Sequence, residues 1–284
     1  MGFLLKGKWV AGSMFDKDRK VDTSKGEITQ FRNFIGDKFK SEKNRYHLYI
    51  SLACPWAHRT VIFRKLKGLE HAISMSHVST IVENDGWNFK DSPDPLYGKQ
   101  YLRDLYTLSQ SDCNCNASIP ILWDKETNSI FSNESADIIR MFNKDFANLS
   151  TNDYDYYPSN HKSEIDDINQ YVFDNIMMSI RKAGFSTNQK DYELGVKKLF
   201  SSLDHLEDLL SQRRYLIGSK ITEADWRLFT VLLRFDIVYV GHFKCNLKRL
   251  VDYHHISSYV RELYQMDGIK ETCDIERIKT NFYV

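Results

Sequence analysis

The sequence predicts two domains of different class, an α/β domain followed by an all-α domain. Between residues 46 and 142 the candidate elements follow the order strand, helix, strand, and then strand, strand, helix. This is the order of a thioredoxin-like domain, whereas beyond residue 160 the apolar spacing predicts only helices. The expected division is an N-terminal extension 1–45, a thioredoxin-like domain 46–147, a polar linker 148–160 and an all-helical domain 161–284.

The first predicted strand runs directly into the first predicted helix at Cys54. Residues 46–52 are rich in β-branched and aromatic side chains, which favours a strand. Pro55 suits the first helical position, where its missing N–H would have had no partner. Apolar residues then recur at helical spacing to about Lys67, and Gly68 is the expected stop.

A thiol at this junction is a candidate nucleophile. Unpaired N–H groups at a helix start favour an anion, and cysteines placed there have pKa values below the ordinary value of about 8.5. Ala57 occupies the place of a second cysteine in a Cys-x-x-Cys pair, so Cys54 could form a mixed disulfide that only an outside thiol can resolve. The competing interpretation is a buried structural cysteine.

The remaining elements of this domain have weaker sequence signals. Residues 83–116 form a long irregular connection, Pro120 near the start of a strand is often a cis residue, and aromatic residues of the extension are expected to hold it to the domain. The predicted elements are a strand 72–82, a helix 101–108, strands 118–123 and 129–131, and a helix ending at Phe142 that Ser132 or Asn133 caps; the extension's aromatics are Trp9, Phe15, Phe31, Phe34 and Phe39.

Four helices are predicted in the second domain, one of which starts after Thr222 and runs through Phe235. Helices are expected at 163–182 and 191–212, and a last helix at about 256–266. The clearest start signal in the chain lies between them, where Thr222 is the predicted N-cap and Asp225 its reciprocal partner.

Composition excludes several functional classes. The 284 residues carry a net charge of +1, so neither nucleic acid nor an anionic membrane is an expected partner. No apolar run approaches 18 residues, and the first residues lack the pattern of a secretory signal. Five cysteines indicate a reducing, cytoplasmic location, and Cys113-Asn-Cys115 has no second pair with which to bind a metal.

These motifs together resemble the glutathione transferase superfamily, and within it the xi class, the glutathionyl-hydroquinone reductases. The resemblance covers about residues 45–278 and rests on Ser51–Thr60 (SLACPWAHRT), Gly86–Phe89, Ile119–Asp124, Asn133–Ser135 and Arg234–Asn246. It implies the glutathione transferase fold, glutathione as co-substrate, no metal, small glutathione conjugates as substrates, and a homodimer.

The resemblance also implies a mechanism and a set of site residues. Cys54 would take glutathione from a glutathionylated hydroquinone, and a second glutathione would resolve the mixed disulfide. Glutathione would contact Trp87, the backbone of Ile119 before Pro120, Glu134 and Ser135. Tyr239 would line the hydroquinone pocket, with Tyr283 or Phe282 standing for a late tyrosine of the class.

Two residues depart from the class pattern, Asn116 where an arginine is usual and Arg181 where a tyrosine is usual. A third expected departure is the C-terminal tail of the class, for which the sequence up to Val284 offers no match. Two alternatives therefore remain. One is an omega-like thioltransferase or dehydroascorbate reductase, and the other is a non-catalytic ligand-binding protein of the same fold.

Overall fold

The computed structural model describes residues 2–12 and 28–284, and the chain forms two compact units. The first unit ends at Asp153 and the second covers Tyr154–Tyr283. The described part of the first unit contains strands β1 (Gly2–Leu5), β2 (Lys8–Ala11), β3 (Tyr46–Ile50), β4 (Ser74–His77), β5 (Cys115–Asn116), β6 (Ile121–Asp124) and β7 (Ser129–Ser132), and helices α1 (Pro55–Leu66), α2 (Leu102–Ser109) and α3 (Ser135–Arg140).

The main sheet has the strand order β4-β3-β6-β7. Strand β4 is parallel to β3, whereas β6 is antiparallel to both β3 and β7. Helix α1 is the crossover between the two parallel strands, as the sequence predicts. All five residues of β3 are buried, as expected of a strand that is covered on both faces of the sheet.

The N-terminal extension is more regular than the sequence analysis expects. Strand β1 pairs with both β2 and β5 to form a second, three-stranded sheet, and residue 32 bridges to Ser132 at the end of β7. Phe31 and Phe39 pack against Tyr106 and Phe131, as expected of anchoring residues, but Phe34 is exposed. Phe15 lies outside the described residues.

The second unit contains helices α4 (Lys162–Tyr171), α5 (Met178–Gly184), α6 (Gln189–Gln212), α7 (Glu223–Leu232), α8 (His254–Gln265) and α9 (Ile275–Tyr283). The predicted helix 163–182 is confirmed in extent, but it is not α-helical throughout, because a π-helical stretch, Val172–Met177, joins α4 to α5. The helix predicted at about 256–266 is confirmed as α8, but the prediction that it is the last helix is wrong. Helix α9 follows it, and its apolar residues Ile275, Ile278 and Phe282 recur at helical spacing.

The predicted start of α7 is confirmed. Thr222 is the N-cap, and its hydroxyl accepts the Ala224 N–H at 3.3 Å. The Asp225 carboxylate in turn accepts the Thr222 N–H at 2.7 Å. Within residues 2–12 and 28–284, no helix is long and apolar enough to cross a membrane, and no cluster of three potential metal ligands is found.

Candidate active site

Cys54 occupies the turn between β3 and α1, as predicted. Its backbone is extended (φ −85°, ψ 120°), and Pro55 is the first helical residue. The Cys54 N–H donates to the Ser51 carbonyl at 3.1 Å, and the Cys54 carbonyl accepts the His58 N–H at 3.0 Å, the first bond of the helix. Cys54 is partly exposed and directly precedes the first residue of α1.

The other four cysteines have surroundings that oppose ionisation or access. Cys113, Cys115 and Cys245 are buried, and only Cys273 is partly exposed like Cys54. The neighbouring Cys113 thiol and burial together raise the pKa of Cys115, and burial raises the pKa of Cys245 to about 12. Burial also raises the pKa of Cys273. Of the five thiols, Cys54 alone combines partial exposure with a helix start.

Arg59 places a positive charge in α1 that is not among the predicted site residues. Arg59 is buried, and its guanidinium lies 4.5 Å from the centre of the Trp56 ring, a cation–π contact. Arginine keeps its charge even when buried, so this end of α1 carries a fixed cation in addition to the helix dipole. The motif Cys-Pro-Trp-Ala-His-Arg contains the signal, because Trp56 and Arg59 are three residues apart on one helix face.

The Ile119–Pro120 peptide bond is cis, and it immediately precedes β6. Tyr49, near the end of β3, pairs with Ile121, at the start of the antiparallel strand β6. The residues that follow β3 and those that precede β6 therefore lie at the same edge of the sheet. The fold thus brings Cys54 and the Ile119–Pro120 segment to one edge, although they are 65 positions apart in sequence.

Glu134 and Ser135 lie at the same edge of the sheet. Strand β7 ends at Ser132 opposite Leu122 of β6, and α3 begins at Ser135. The prediction that Ser132 or Asn133 caps this helix is wrong. Glu134 is the N-cap, with Oε1 accepting the Ala136 N–H at 3.0 Å. The Ser132 hydroxyl instead accepts the Glu134 N–H at 3.2 Å, because the chain turns there before the helix begins.

An arginine of the N-terminal segment adds charge beside α3. Arg32 donates from Nε and Nη2 to the two carboxylate oxygens of Asp137 at 2.6 and 2.8 Å. The hydrogen bond with Asp137 raises the pKa of Arg32, and Glu134 adds to the rise through its charge. Sequence reasoning missed this contact because no local pattern links residue 32 with residue 137.

Trp87 lies in the connection between β4 and α2. Its side chain is buried and its carbonyl accepts the Leu102 N–H at 2.9 Å, which ties the connection to the start of α2. A core aromatic would have the same burial. Its contact with glutathione therefore stays a prediction.

The two tyrosines predicted for a substrate pocket are both in the second unit. Tyr239 ends a π-helical stretch, Phe235–Tyr239, and stacks on Phe243 with ring centres 5.5 Å apart. The Tyr283 hydroxyl, in α9, donates to the Ile237 carbonyl at 3.0 Å. The fold thus brings the C-terminal helix to the segment that carries Tyr239. The roles of both tyrosines in substrate binding stay predictions.

The two residues that depart from the class pattern lie in different elements. Asn116 is the last residue of β5 and pairs with Phe3 of β1. Arg181 lies in the last turn of α5.

Family models match both units of the chain. The model described as glutathione S-transferase, N-terminal domain, matches residues 53–145, and the model of the C-terminal domain matches residues 189–262. The first match begins one residue before Cys54 and contains Trp87, the Ile119–Pro120 bond and the start of α3. The chain belongs to the glutathione transferase family.

Relatives extend the match over the whole length. The chain is 43% identical to glutathionyl-hydroquinone reductase YqjG of Escherichia coli, covering 100% of this chain and 90% of that protein. It is 39% identical to glutathionyl-hydroquinone reductase PcpF of Sphingobium chlorophenolicum, covering 100% and 91%.

Two solved structures also match this chain over almost its whole length. A glutathione-bound structure of the E. coli protein matches with a TM-score of 0.90 at 42% identity, covering 99% of this chain and 90% of that one. A xi-class transferase from Natrialba magadii matches with a TM-score of 0.92 at 38% identity, covering 100% and 88%. Within the glutathione transferases, this protein is a member of the xi class.

Proposed function

We propose that this protein reduces glutathionylated hydroquinones with glutathione, using Cys54 as the nucleophile. The observation that carries the proposal is the position of Cys54, a partly exposed thiol at the start of α1, at the sheet edge shared with the cis Ile119–Pro120 segment. Two full-length relatives are named for this reaction, which supports the choice of substrate class.

The reaction proceeds in two balanced steps. The Cys54 thiolate attacks the sulfur of the glutathionyl group, forming a Cys54–glutathione disulfide. The carbon–sulfur bond breaks, its electron pair stays on the ring carbon, and that carbon takes a proton to give free hydroquinone. A second glutathione thiolate then attacks the mixed disulfide, which releases oxidised glutathione and restores Cys54. Ala57 offers no internal resolving thiol, so this step needs the second glutathione.

The segments at the shared sheet edge have groups suited to glutathione. We assign the backbone of Ile119 to the cysteinyl unit, and the start of α3 to the γ-glutamyl end. There the Ser135 hydroxyl and backbone N–H groups would take the carboxylate, and Glu134 the ammonium group. Trp87 would cover the tripeptide, and Tyr239 and Tyr283 would serve the hydroquinone. A homodimer in the cytoplasm stays a prediction, which light scattering and localisation would test.

The experiment follows release of hydroquinone from the adduct of glutathione and 1,4-benzoquinone, with excess glutathione. Wild type should release one oxidised glutathione per hydroquinone, and Cys54→Ser should fall to background. Cys273→Ser is the matched control, because Cys273 is the other partly exposed thiol, and it should keep wild-type turnover.

The alternatives give different results in the same assay. If hydroquinone is not released but oxidised glutathione still adds one glutathionyl group to Cys54 in intact mass, a thioltransferase with another substrate is indicated. Dehydroascorbate would then be the next substrate tested. If Cys54 is neither modified nor needed, the protein only binds its ligand and the proposal is wrong.

A further inference from the structure

The hydroxyl of Tyr106 hydrogen-bonds to two loops, one containing Ser118 and the other containing Asn133. Tyr106 lies in α2 and is completely buried. Its hydroxyl donates to the Ser118 carbonyl at 2.7 Å and accepts the Ser118 N–H at 3.1 Å. It also accepts a hydrogen bond from the Asn133 side-chain amide at 3.1 Å. Ser118 directly precedes Ile119, and Asn133 directly precedes Glu134.

A phenol has one hydrogen to donate and two lone pairs to accept with, and these three bonds match that capacity. The Ser118 hydroxyl makes a fourth, longer contact with the same oxygen at 3.3 Å. Burial raises the pKa of Tyr106 to about 12, so the hydroxyl keeps the proton that it donates to Ser118 at neutral pH. The ring is fixed as well, because Phe31 packs edge-on against it with centres 5.5 Å apart. Tyr106 is therefore a rigid group with no spare hydrogen-bonding capacity.

The sheet itself does not hold these loops to each other. The pairing between β6 and β7 reaches Leu122 and Ser132, and both Ser118 and Asn133 lie beyond that point. The Asn133 N–H is bound separately, to the Phe31 carbonyl at 3.1 Å. Tyr106 thus connects the two chain segments where their backbone ladder has ended.

We propose that Tyr106 is a positioning residue, which holds the Ile119–Pro120 segment and the Glu134–Ser135 segment at the separation that glutathione requires. This inference rests on the proposed function, which assigns those segments to the cysteinyl and γ-glutamyl units. Tyr106 acts through Ser118 and Asn133, so it sets glutathione affinity and leaves the nucleophilicity of Cys54 unchanged.

The test is Tyr106→Phe, which keeps the ring and removes only the hydroxyl. Glutathione binding is measured by titration calorimetry in the Cys54→Ser background, where no mixed disulfide forms. We expect affinity to fall about tenfold, because the loops lose a shared anchor and buried groups lose their partner. In the enzyme with Cys54 intact, KM for glutathione should rise while kcat and the rate of Cys54 alkylation by iodoacetamide stay within twofold.

Tyr97→Phe is the matched control. The Tyr97 hydroxyl also serves a buried donor, accepting the Trp123 indole N–H at 2.9 Å and donating to Asn128 at 2.6 Å. That site lies at the turn between β6 and β7, at the opposite edge of the sheet from Cys54. The control should lose stability like Tyr106→Phe but bind glutathione like wild type. Equal losses of affinity in both variants, or none in Tyr106→Phe, would overturn the proposal.

Asn133→Ala is a second variant, which tests the proposal even if Tyr106→Phe does not fold. It removes a half-buried amide that Tyr106 binds and should weaken glutathione binding in part, and unchanged affinity in this variant would contradict the proposal. Where Tyr106→Phe folds, the two substitutions together should cost less than the sum of their separate effects, because both break the same bond. Strict additivity would then contradict the proposal as well. If wild type binds glutathione but releases no hydroquinone, the proposed reaction fails while the Tyr106 test still stands. If wild type does not bind glutathione, both fail.

Discussion

Helices α1 and α7 begin in opposite ways, and the contrast separates reactivity from stability. Both start after an extended residue, Cys54 in one case and Thr222 in the other. Thr222 and Asp225 form a reciprocal capping box, whereas the Cys54 side chain makes no cap bond to α1 in the described structure. The first turn of α7 contains Glu223 and Asp225, but residues 55–58 contain no acid.

The difference shows what a helix start can be used for. At α7 the carboxylate of Asp225 occupies the positive end of the helix and also binds the Leu216 N–H and the Tyr259 hydroxyl, both at 2.9 Å. The first turn of α1 contributes no carboxylate of its own, so an ionised Cys54 thiol is the anion of this segment that the helix dipole would stabilise. The N-terminus of α7 therefore stabilises the fold, whereas the N-terminus of α1 is suited to stabilising a reactive thiolate.

The largest effect is expected from removing the carboxylate at α7. Asp225→Ala would leave the N–H groups of Leu216 and Thr222 and the Tyr259 hydroxyl without their buried acceptor. The free energy of unfolding should fall by about 3–5 kcal/mol, measured by urea denaturation. Asp252→Ala is the control, since Asp252 makes a similar bond to the Arg249 N–H in an exposed turn and should cost under ~1 kcal/mol. Equal losses would contradict this account.

The same carboxylate predicts a pH dependence of stability. Burial raises the pKa of Asp225 to about 6, whereas an unfolded aspartate has a pKa of about 3.9. The folded state therefore binds the proton more tightly, and this contribution is complete below about pH 4 and lost as pH rises through about 6. It amounts to about 2–3 kcal/mol. The wild-type unfolding free energy minus that of Asp225→Asn should fall between pH 4 and pH 7; a flat or rising difference would show that the pKa is not raised.

The smallest effects on the free energy of unfolding are expected from substituting the N-cap residues of α1 and α7. Cys54→Asp should raise the unfolding free energy by about 0.5–1 kcal/mol, because aspartate is a good N-cap and meets the dipole at α1, while turnover is lost. Thr222→Cys should lower it by about 1 kcal/mol, because the Ala224 N–H loses its acceptor. Thermal denaturation would measure both. If Cys54→Asp were destabilising, the start of α1 would not be open to an anion.

Local patterns predicted the elements on which both helix starts depend. The strand–Cys-Pro–helix junction and the Thr222–Asp225 pair are short-range signals, and the structure confirms the placement of both. Glu134 was missed as a cap because Ser132 and Asn133 are better capping types, and only the path of the chain decides which residue precedes the helix.

Long-range pairing accounts for most of what the sequence did not predict. Strand β1 has four residues and pairs with β5 more than a hundred positions away, which leaves no local period to detect. The bonds from Tyr106 to Ser118 and Asn133, and from Arg32 to Asp137, likewise depend on tertiary proximity. The stretch Val172–Met177 contains no glycine or proline to mark the change in helix type. Helix α9, by contrast, carries a readable apolar spacing.

The central claim is that Cys54 is the reactive thiolate, and its alkylation by iodoacetamide at pH 7 tests this most directly. Peptide mass spectrometry of the folded wild-type protein gives a separate rate for each cysteine, and Cys273 is the internal reference because it is partly exposed like Cys54. We predict that Cys54 reacts at least about tenfold faster than Cys273, since helix starts favour thiolates whereas burial raises the pKa of Cys273. A Cys54 rate equal to or below that of Cys273 would contradict the account.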